Sequence, residues 1–171
     1  MEYRLFHIQL PLHPGWEAIE PLRASVLACA KAVFPHPALA ASIALVTAEL
    51  LENALKFGRW EHGGDGCFAL RMDGHDDRVE IEVSNPVSPG DADIERLREE
   101  LARIAAAPSP EQAYTKAVRG VALGKQTCLG LARAACEGGC DLSAQVKGNV
   151  LSVRAVTRRL QPPPPTPAAP A

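Results

Sequence analysis

The residues best suited to chemistry in this 171-residue chain lie in the stretch Ala44-Leu45-Val46-Thr47-Ala48-Glu49-Leu50-Leu51-Glu52-Asn53-Ala54-Leu55-Lys56-Phe57-Gly58. At about 100° per residue, a helix here carries Glu49, Asn53 and Lys56 in one narrow stripe. Ile43, Val46, Leu50, Ala54 and Phe57 then form the opposite, buried side. A carboxylate can polarise an attacking hydroxyl, and an amide oxygen can complete a magnesium shell otherwise filled by phosphates and water. A lysine can sit on phosphate oxygens. The same stripe has a purely structural reading, because any surface helix sets polar residues against apolar ones, and Glu52 and Lys56 are spaced as an i,i+4 pair. Other segments must decide between the two.

Two later segments bear on that choice. In Val79–Val83, Val79, Ile81 and Val83 face one way while Glu80 and Glu82 face the other, and counting by twos puts Asn85 on the apolar face. An Asn carbonyl there can accept one hydrogen bond from an amine, although Asn85-Pro86 also reads as a strand-ending turn. The second segment, Gly120 through Gly130, is punctuated by glycine at 120, 124 and 130 and carries Lys125 and Thr127 before Leu129-Gly130-Leu131 opens a helix. Its backbone N–H groups, a cation and a hydroxyl suit phosphate, and such a flexible stretch also occurs without any nucleotide.

The elements that position these residues follow from periodicity and punctuation. Alternation predicts strands at Arg4–Leu10, Cys67–Asp73, Arg78–Ser84, Cys140–Val146 and Val150–Thr157, with turns at Gly74-His75-Asp76-Asp77 and Lys147-Gly148-Asn149. Helical spacing predicts helices from near Pro21 to Pro35, from about Pro37 to Phe57, and at Asp91–Ala107, Ser109–Val118 and Leu129–Glu137. Every strand is apolar on one side only. The fold class expected is therefore an α/β (α+β) two-layer sandwich, a largely antiparallel mixed sheet with helices packed on one face.

Composition excludes several classes. Lys+Arg 18 against Asp+Glu 20 gives a formal net charge of −2, with no basic block to drive binding to nucleic acid or to an acidic membrane. No signal-peptide pattern opens the chain and no run of about 18 apolar residues occurs, so a cytoplasmic protein is expected. Five cysteines without CxxC spacing read as free thiols in a reducing compartment, Cys136 and Cys140 included. Of 15 prolines, six fall in the last eleven residues, so a folded domain over 1–160 and a disordered Pro/Ala-rich tail over 161–171 are expected.

Taken together, Glu49-Leu50-Leu51-Glu52-Asn53-Ala54-Leu55-Lys56-Phe57-Gly58 resembles the N-box of the GHKL (Bergerat-fold) ATPases, E-L-x-x-N-A-x-K followed by an aromatic or His and then Gly. Within that superfamily the chain is similar to the small anti-sigma-type serine kinases, and its order of elements agrees from about Arg4 to Val156. The resemblance implies a histidine-kinase-like ATPase fold, ATP and Mg²⁺ as cofactors, Glu49 as general base, Asn53 as magnesium ligand and Lys56 near phosphate. It departs at the adenine box, where Val83-Ser84-Asn85-Pro86 places Asn85 at the Asp of D-x-G-x-G, and at the glycine box, where Lys125-Gln126-Thr127-Cys128 replaces G-x-G before Leu129-Gly130-Leu131. Gly120, Gly124, Lys125, Thr127 and Gly130 are the implied phosphate-side residues. The helix pair over 91–118 resembles the lid insertion of the SiaB-like kinases, a branch that phosphorylates a small STAS-domain partner. Two functions are implied: an ATP- and Mg²⁺-binding serine/threonine kinase or anti-sigma-type regulator acting on a STAS-domain partner in partner switching, or a catalytically inactive pseudoenzyme that binds a sigma factor or STAS protein as a scaffold. Relatives of the anti-sigma type often form homodimers.

Overall fold

Strand alternation decides the layering. In the computed structural model, which describes residues 3–10, 15–59, 67–88, 90–124 and 129–158, Phe68, Leu70 and Met72 of β2 (Phe68–Gly74) are buried together with Val79, Ile81 and Val83 of β3 (Arg78–Pro86). Leu151, Val153 and Ala155 of β5 (Val150–Arg158) complete the same inner surface. The residues between them, polar except for Ala69, face outward, as a sheet covered on one side requires. Each fully buried Leu, Val or Ile side chain contributes about 1.5–3 kcal/mol, so these three strands anchor the sheet.

The sheet order is β1-β2-β3-β5-β4, with β1 at Tyr3–Leu10 and β4 at Cys140–Lys147. The two-layer sandwich expected from the strand pattern is what forms. All four pairings are antiparallel, so among the described residues the sheet holds no parallel pair that would make it mixed. The reason is the position of β5. It lies between β3 and β4, so these two run the same way without touching. Residues 148 and 149 close the β4–β5 hairpin, β1 slips register between Arg4 and Phe6, and Leu5, Phe6, Ile8 and Leu10 of this edge strand are half-buried.

The connection from β3 to β4 carries three helices, α3 (Ala92–Ala105), α4 (Pro110–Ala122) and α5 (Leu129–Glu137). Asp91 caps α3 by accepting from Asp93 N–H, and Ser109 caps α4 by accepting from Gln112 N–H. Gly139, at φ +60°, ends the turn after α5 in a conformation that side chains disfavour. Before the sheet's centre come α1 (Ile19–Val33), preceded by a 3-10 turn at Trp16–Ala18, and α2 (Pro37–Phe57). Pro21 falls in the first turn of α1, where no intrahelical N–H is needed.

α2 is the central helix. It packs against α1, β3, β5 and α5, and Leu39, Ile43, Val46, Leu50, Leu51 and Ala54 on it are buried. By length and composition it could cross a membrane, with a mean hydropathy of 1.5 over its best window, and 56% of that window is buried against protein. The tail 161–171, and the domain end placed at residue 160, lie outside the described residues.

Candidate functional site

Glu49 and Asn53 are set side by side by one turn of α2, and α5 closes over them. Because four elements pack on α2, its buried sector is wide. The Glu49–Asn53 stripe therefore lies at the margin of that sector, not across the helix from it as alternation of polar and apolar faces suggests. Both residues are half-buried as a result, and the Glu49 side chain is only 12% exposed. The Asn53 Nδ2 donates to the Glu49 carbonyl oxygen at 2.6 Å, which fixes the amide and leaves its oxygen as the free acceptor.

Gly130, the second residue of α5, faces both. A Cβ built on it would overlap Glu49 Oε2 and lie 3.8 Å from Asn53 Nδ2, so glycine here lets the Glu49 carboxylate keep its place against α5. One turn further along α5, Arg133 Nη1 donates to Glu49 Oε1 at 3.3 Å, and Arg133 Nε donates to Glu137 Oε2 at 3.0 Å. Burial pushes the Glu49 carboxyl above its ordinary range, and Glu52 adds to that rise. Arg133 works against both. A carboxylate held near a helix terminus with a raised proton affinity is suited to accept a proton from a hydroxyl.

The structure separates the other expected residues. Lys56 is exposed, with Nζ 5.2 Å from the Phe57 ring centroid, and Phe57 itself is only half-buried. Asn85 is buried on the inner face at 1% exposure, as period two requires, and both it and Pro86 stay in β3, paired with Leu151 and Val150, which corrects the reading of a strand-ending turn. Its Nδ2 donates to the Pro86 carbonyl at 3.2 Å. The ends of β3 and α2 meet, since Arg59 N–H donates to the Pro86 oxygen at 2.8 Å.

Gly120 stands inside α4, which runs four residues beyond Val118, so the glycine-punctuated stretch begins later than its spacing suggests. Gly124 is in an exposed turn at φ +72°. Lys125 and Thr127 lie outside the described residues. Among the described residues, concavities lie elsewhere, including one of about 560 Å³ between α3 and α4, lined in part by Ile104, Ala113, Lys116 and Leu123, and one of about 660 Å³ on the outer sheet face. Neither is lined by Glu49, Asn53 or Asn85.

Cys136 and Cys140 are both free thiols. Cys140 is buried, its Sγ donates to the Ala134 carbonyl at 3.2 Å, and burial with Asp141 nearby pushes its pKa up to about 12. Burial also raises the Cys136 thiol. Arg133 is the site residue that sequence reasoning misses; its only signal is a cation one turn after Leu129-Gly130-Leu131.

No family model matches the chain, and no curated protein matches it in sequence. Among solved structures it is similar to a chain of the SiaB–SiaC complex from Pseudomonas aeruginosa, with a TM-score of 0.67 and 21% sequence identity over 90% of each chain. At that identity the likeness is one of fold.

Proposed function

We propose that this chain is a cytoplasmic ATP- and Mg²⁺-dependent serine/threonine kinase of the GHKL type, acting on a small STAS-domain partner or sigma factor in a partner-switching circuit. The observation that carries the reading is the Glu49–Asn53 pair, held half-buried on α2 under Gly130 of α5. The fold it shares with a chain of the SiaB–SiaC complex, an assembly of two proteins, favours a protein as the substrate.

Bound Mg-ATP would supply the phosphoryl group and the charge that stabilises its transfer. Glu49 would take the proton of the partner's Ser or Thr hydroxyl, whose oxygen would bond to the γ-phosphorus as the bond to the β-phosphate breaks and ADP leaves. The free Asn53 oxygen would complete the metal shell. Among the described residues no cluster of three His, Cys, Asp or Glu side chains could hold an ion alone, so a divalent cation would arrive with its phosphates and water. Lys56, exposed at the end of α2, would reach phosphate oxygens, and by the family resemblance Gly124, Lys125, Thr127 and Gly130 would serve the same ligand. Asn85 would offer its carbonyl to the adenine amine.

Asn85 also favours a second reading, a pseudoenzyme that binds its partner without catalysis. The side chain is neutral where a charged acceptor would grip adenine more firmly, and its amide is engaged with the Pro86 carbonyl. Calorimetric titration with Mg-ATP separates the two. The kinase reading expects binding by the wild type and loss of its magnesium dependence in Asn53→Ala, followed by transfer of the γ-phosphoryl label to a STAS-domain protein. If neither protein binds nucleotide at millimolar concentration while a STAS-domain partner is still captured, the scaffold reading stands.

A further inference from the structure

β4 forms one edge of the sheet. It pairs with β5 from Cys140 to Lys147 without a slip in register, and among the described residues its other side has no backbone partner. A straight strand with a free row of N–H and C=O groups is a template for another strand. The opposite edge, β1, is blunted by its register slip between Arg4 and Phe6. β4 carries no bulge and no proline. Its internal charges are Asp141 and Lys147, near its two ends, both exposed and neither in an ion pair with a described residue. Ser143 and Gln145 face outward between them, while Leu142, Ala144 and Val146, on the side where α3 and α5 pack, are only half-buried.

We infer that β4 pairs with β4 of a second copy of this chain, antiparallel about a twofold axis at Ala144, joining two five-stranded sheets into one. In that register Ser143 stands opposite Gln145, Leu142 opposite Val146 and Asp141 opposite Lys147, each twice. Every outward side chain meets a polar one, every inward side chain meets an apolar one, and both free charges find an opposite charge. Neighbouring registers lose this match. A slip of one residue sets inward side chains against outward ones. A slip of two, in either direction, carries one of the two charges past the end of the facing strand. Exposed charges pair weakly one by one, so they select partner and register, while the backbone ladder and the apolar pairs hold the strands together. Symmetry closes the assembly at two copies: the axis consumes β4 of each, and the edges left are the two slipped β1 strands. The pairing lies at the sheet edge and does not depend on the kinase reading.

The test uses the full-length chain under reducing conditions. Analytical ultracentrifugation from micromolar to millimolar protein is expected to show a monomer–dimer equilibrium that added salt weakens. Asp141→Lys sets like charges opposite each other on both sides of the axis and is expected to raise the dimer Kd about tenfold or more, as is Lys147→Asp. The double variant Asp141→Lys/Lys147→Asp restores the wild-type Kd, which neither a general change in charge nor a loosened strand does. The register is read by NMR. Along one extended strand Leu142 and Val146 lie about 13 Å apart, beyond the reach of an NOE, so a methyl NOE between them in a mixture of labelled and unlabelled chains comes only from the paired strands. A wild type that stays monomeric at millimolar concentration overturns the inference. So does a dimer that lacks this NOE, one whose Kd the single substitutions leave unchanged, or a double variant as weak as the singles. Should Asp141→Lys not fold, Lys147→Asp and the NOE decide. If β4 amides gain protection from hydrogen exchange only when a STAS-domain protein is added, the edge takes a foreign strand and the second copy is ruled out.

Discussion

Oε2 of Glu49 on α2 lies against the Cα of Gly130 on α5, so near that a single added Cβ would overlap it. The atom in the way is the far end of a flexible side chain, and it can swing aside. Gly130→Ala is therefore expected to fold, with stability within about 1 kcal/mol of the wild type, since alanine also favours the helix. The displaced carboxylate is what suffers: a misplacement of about 1 Å at a reacting group costs on the order of 100-fold in rate. Thermal melts read beside phosphotransfer assays check this. A variant with full activity would mean that Glu49 does not work from the position it holds here.

Glu49→Gln separates stability from function. The folded protein raises the Glu49 carboxyl above its ordinary range, chiefly by burial, so the ionised form costs stability that the protonated form does not. That cost is absent below the ordinary carboxylate pKa and grows as pH rises through the folded one. An isosteric amide carries no such charge. Glu49→Gln is expected to be more stable at neutral pH, by about 0.5–2 kcal/mol, as substitutions at strained functional positions often are. The gain should vanish near pH 4, and phosphotransfer should be lost throughout. Urea unfolding at pH 7 and pH 4 measures the difference, and a gain that does not depend on pH contradicts it.

Most of this architecture is legible in the sequence because local signals agree. Val79, Ile81 and Val83 alternate with Glu80 and Glu82, Gly138-Gly139 stops α5, and Ser109-Pro110-Glu111-Gln112 opens α4. Period two also places Asn85 on the inner face. What stays hidden depends on contacts between distant segments. That β5 inserts between β3 and β4 depends on where the three-helix connection returns the chain, which the periodicity of each helix does not specify. The Arg133–Glu49 pair, 84 residues apart, exists only once α5 is laid on α2. Likewise the polar stripe of α2 lies beside its buried sector because α5 packs there, which a single helix cannot announce. Gly120 reads locally as a breaker, while packing of Ala113 and Ala117 carries α4 through it.

Asn85→Asp tests the adenine role. At 1% exposure a carboxylate here would lose the Nδ2 bond to Pro86 and turn an oxygen toward that carbonyl. The cost is expected at about 1–3 kcal/mol at neutral pH, easing in acid as the buried group takes up a proton. If this side chain receives the adenine amine, the charged acceptor should still tighten Mg-ATP binding about fivefold, by strengthening one hydrogen bond. Calorimetry on the folded variant reads both the sign and the size. Weaker binding than the wild type would place adenine elsewhere.

The outer sheet face carries a different, pH-dependent contribution. Arg71 bonds Asp73 at 2.8 Å, and Glu80 receives both Arg154 and, at 2.9 Å, the Nε of Arg78. Burial alone would push the Glu80 carboxyl up, but the two guanidinium groups, with His75 Nε2 3.4 Å away, overcome it and hold the pKa at about 2. A carboxyl lowered in this way stabilises the fold at any pH above its ordinary value of 4.5, and the contribution is lost as pH falls toward 2. Its full size would be about 3 kcal/mol, and with both arginines about two-fifths exposed, screening reduces it to about 1–2 kcal/mol. Glu80→Gln should therefore be less stable than the wild type by that amount at pH 7, and the two should converge between pH 4 and pH 2. Added salt at pH 7 should narrow the gap in the same way. Urea midpoints across this range decide it: a difference that persists unchanged at pH 2 would mean that the amide side chain packs less well there, and that the ion pairs contribute nothing measurable.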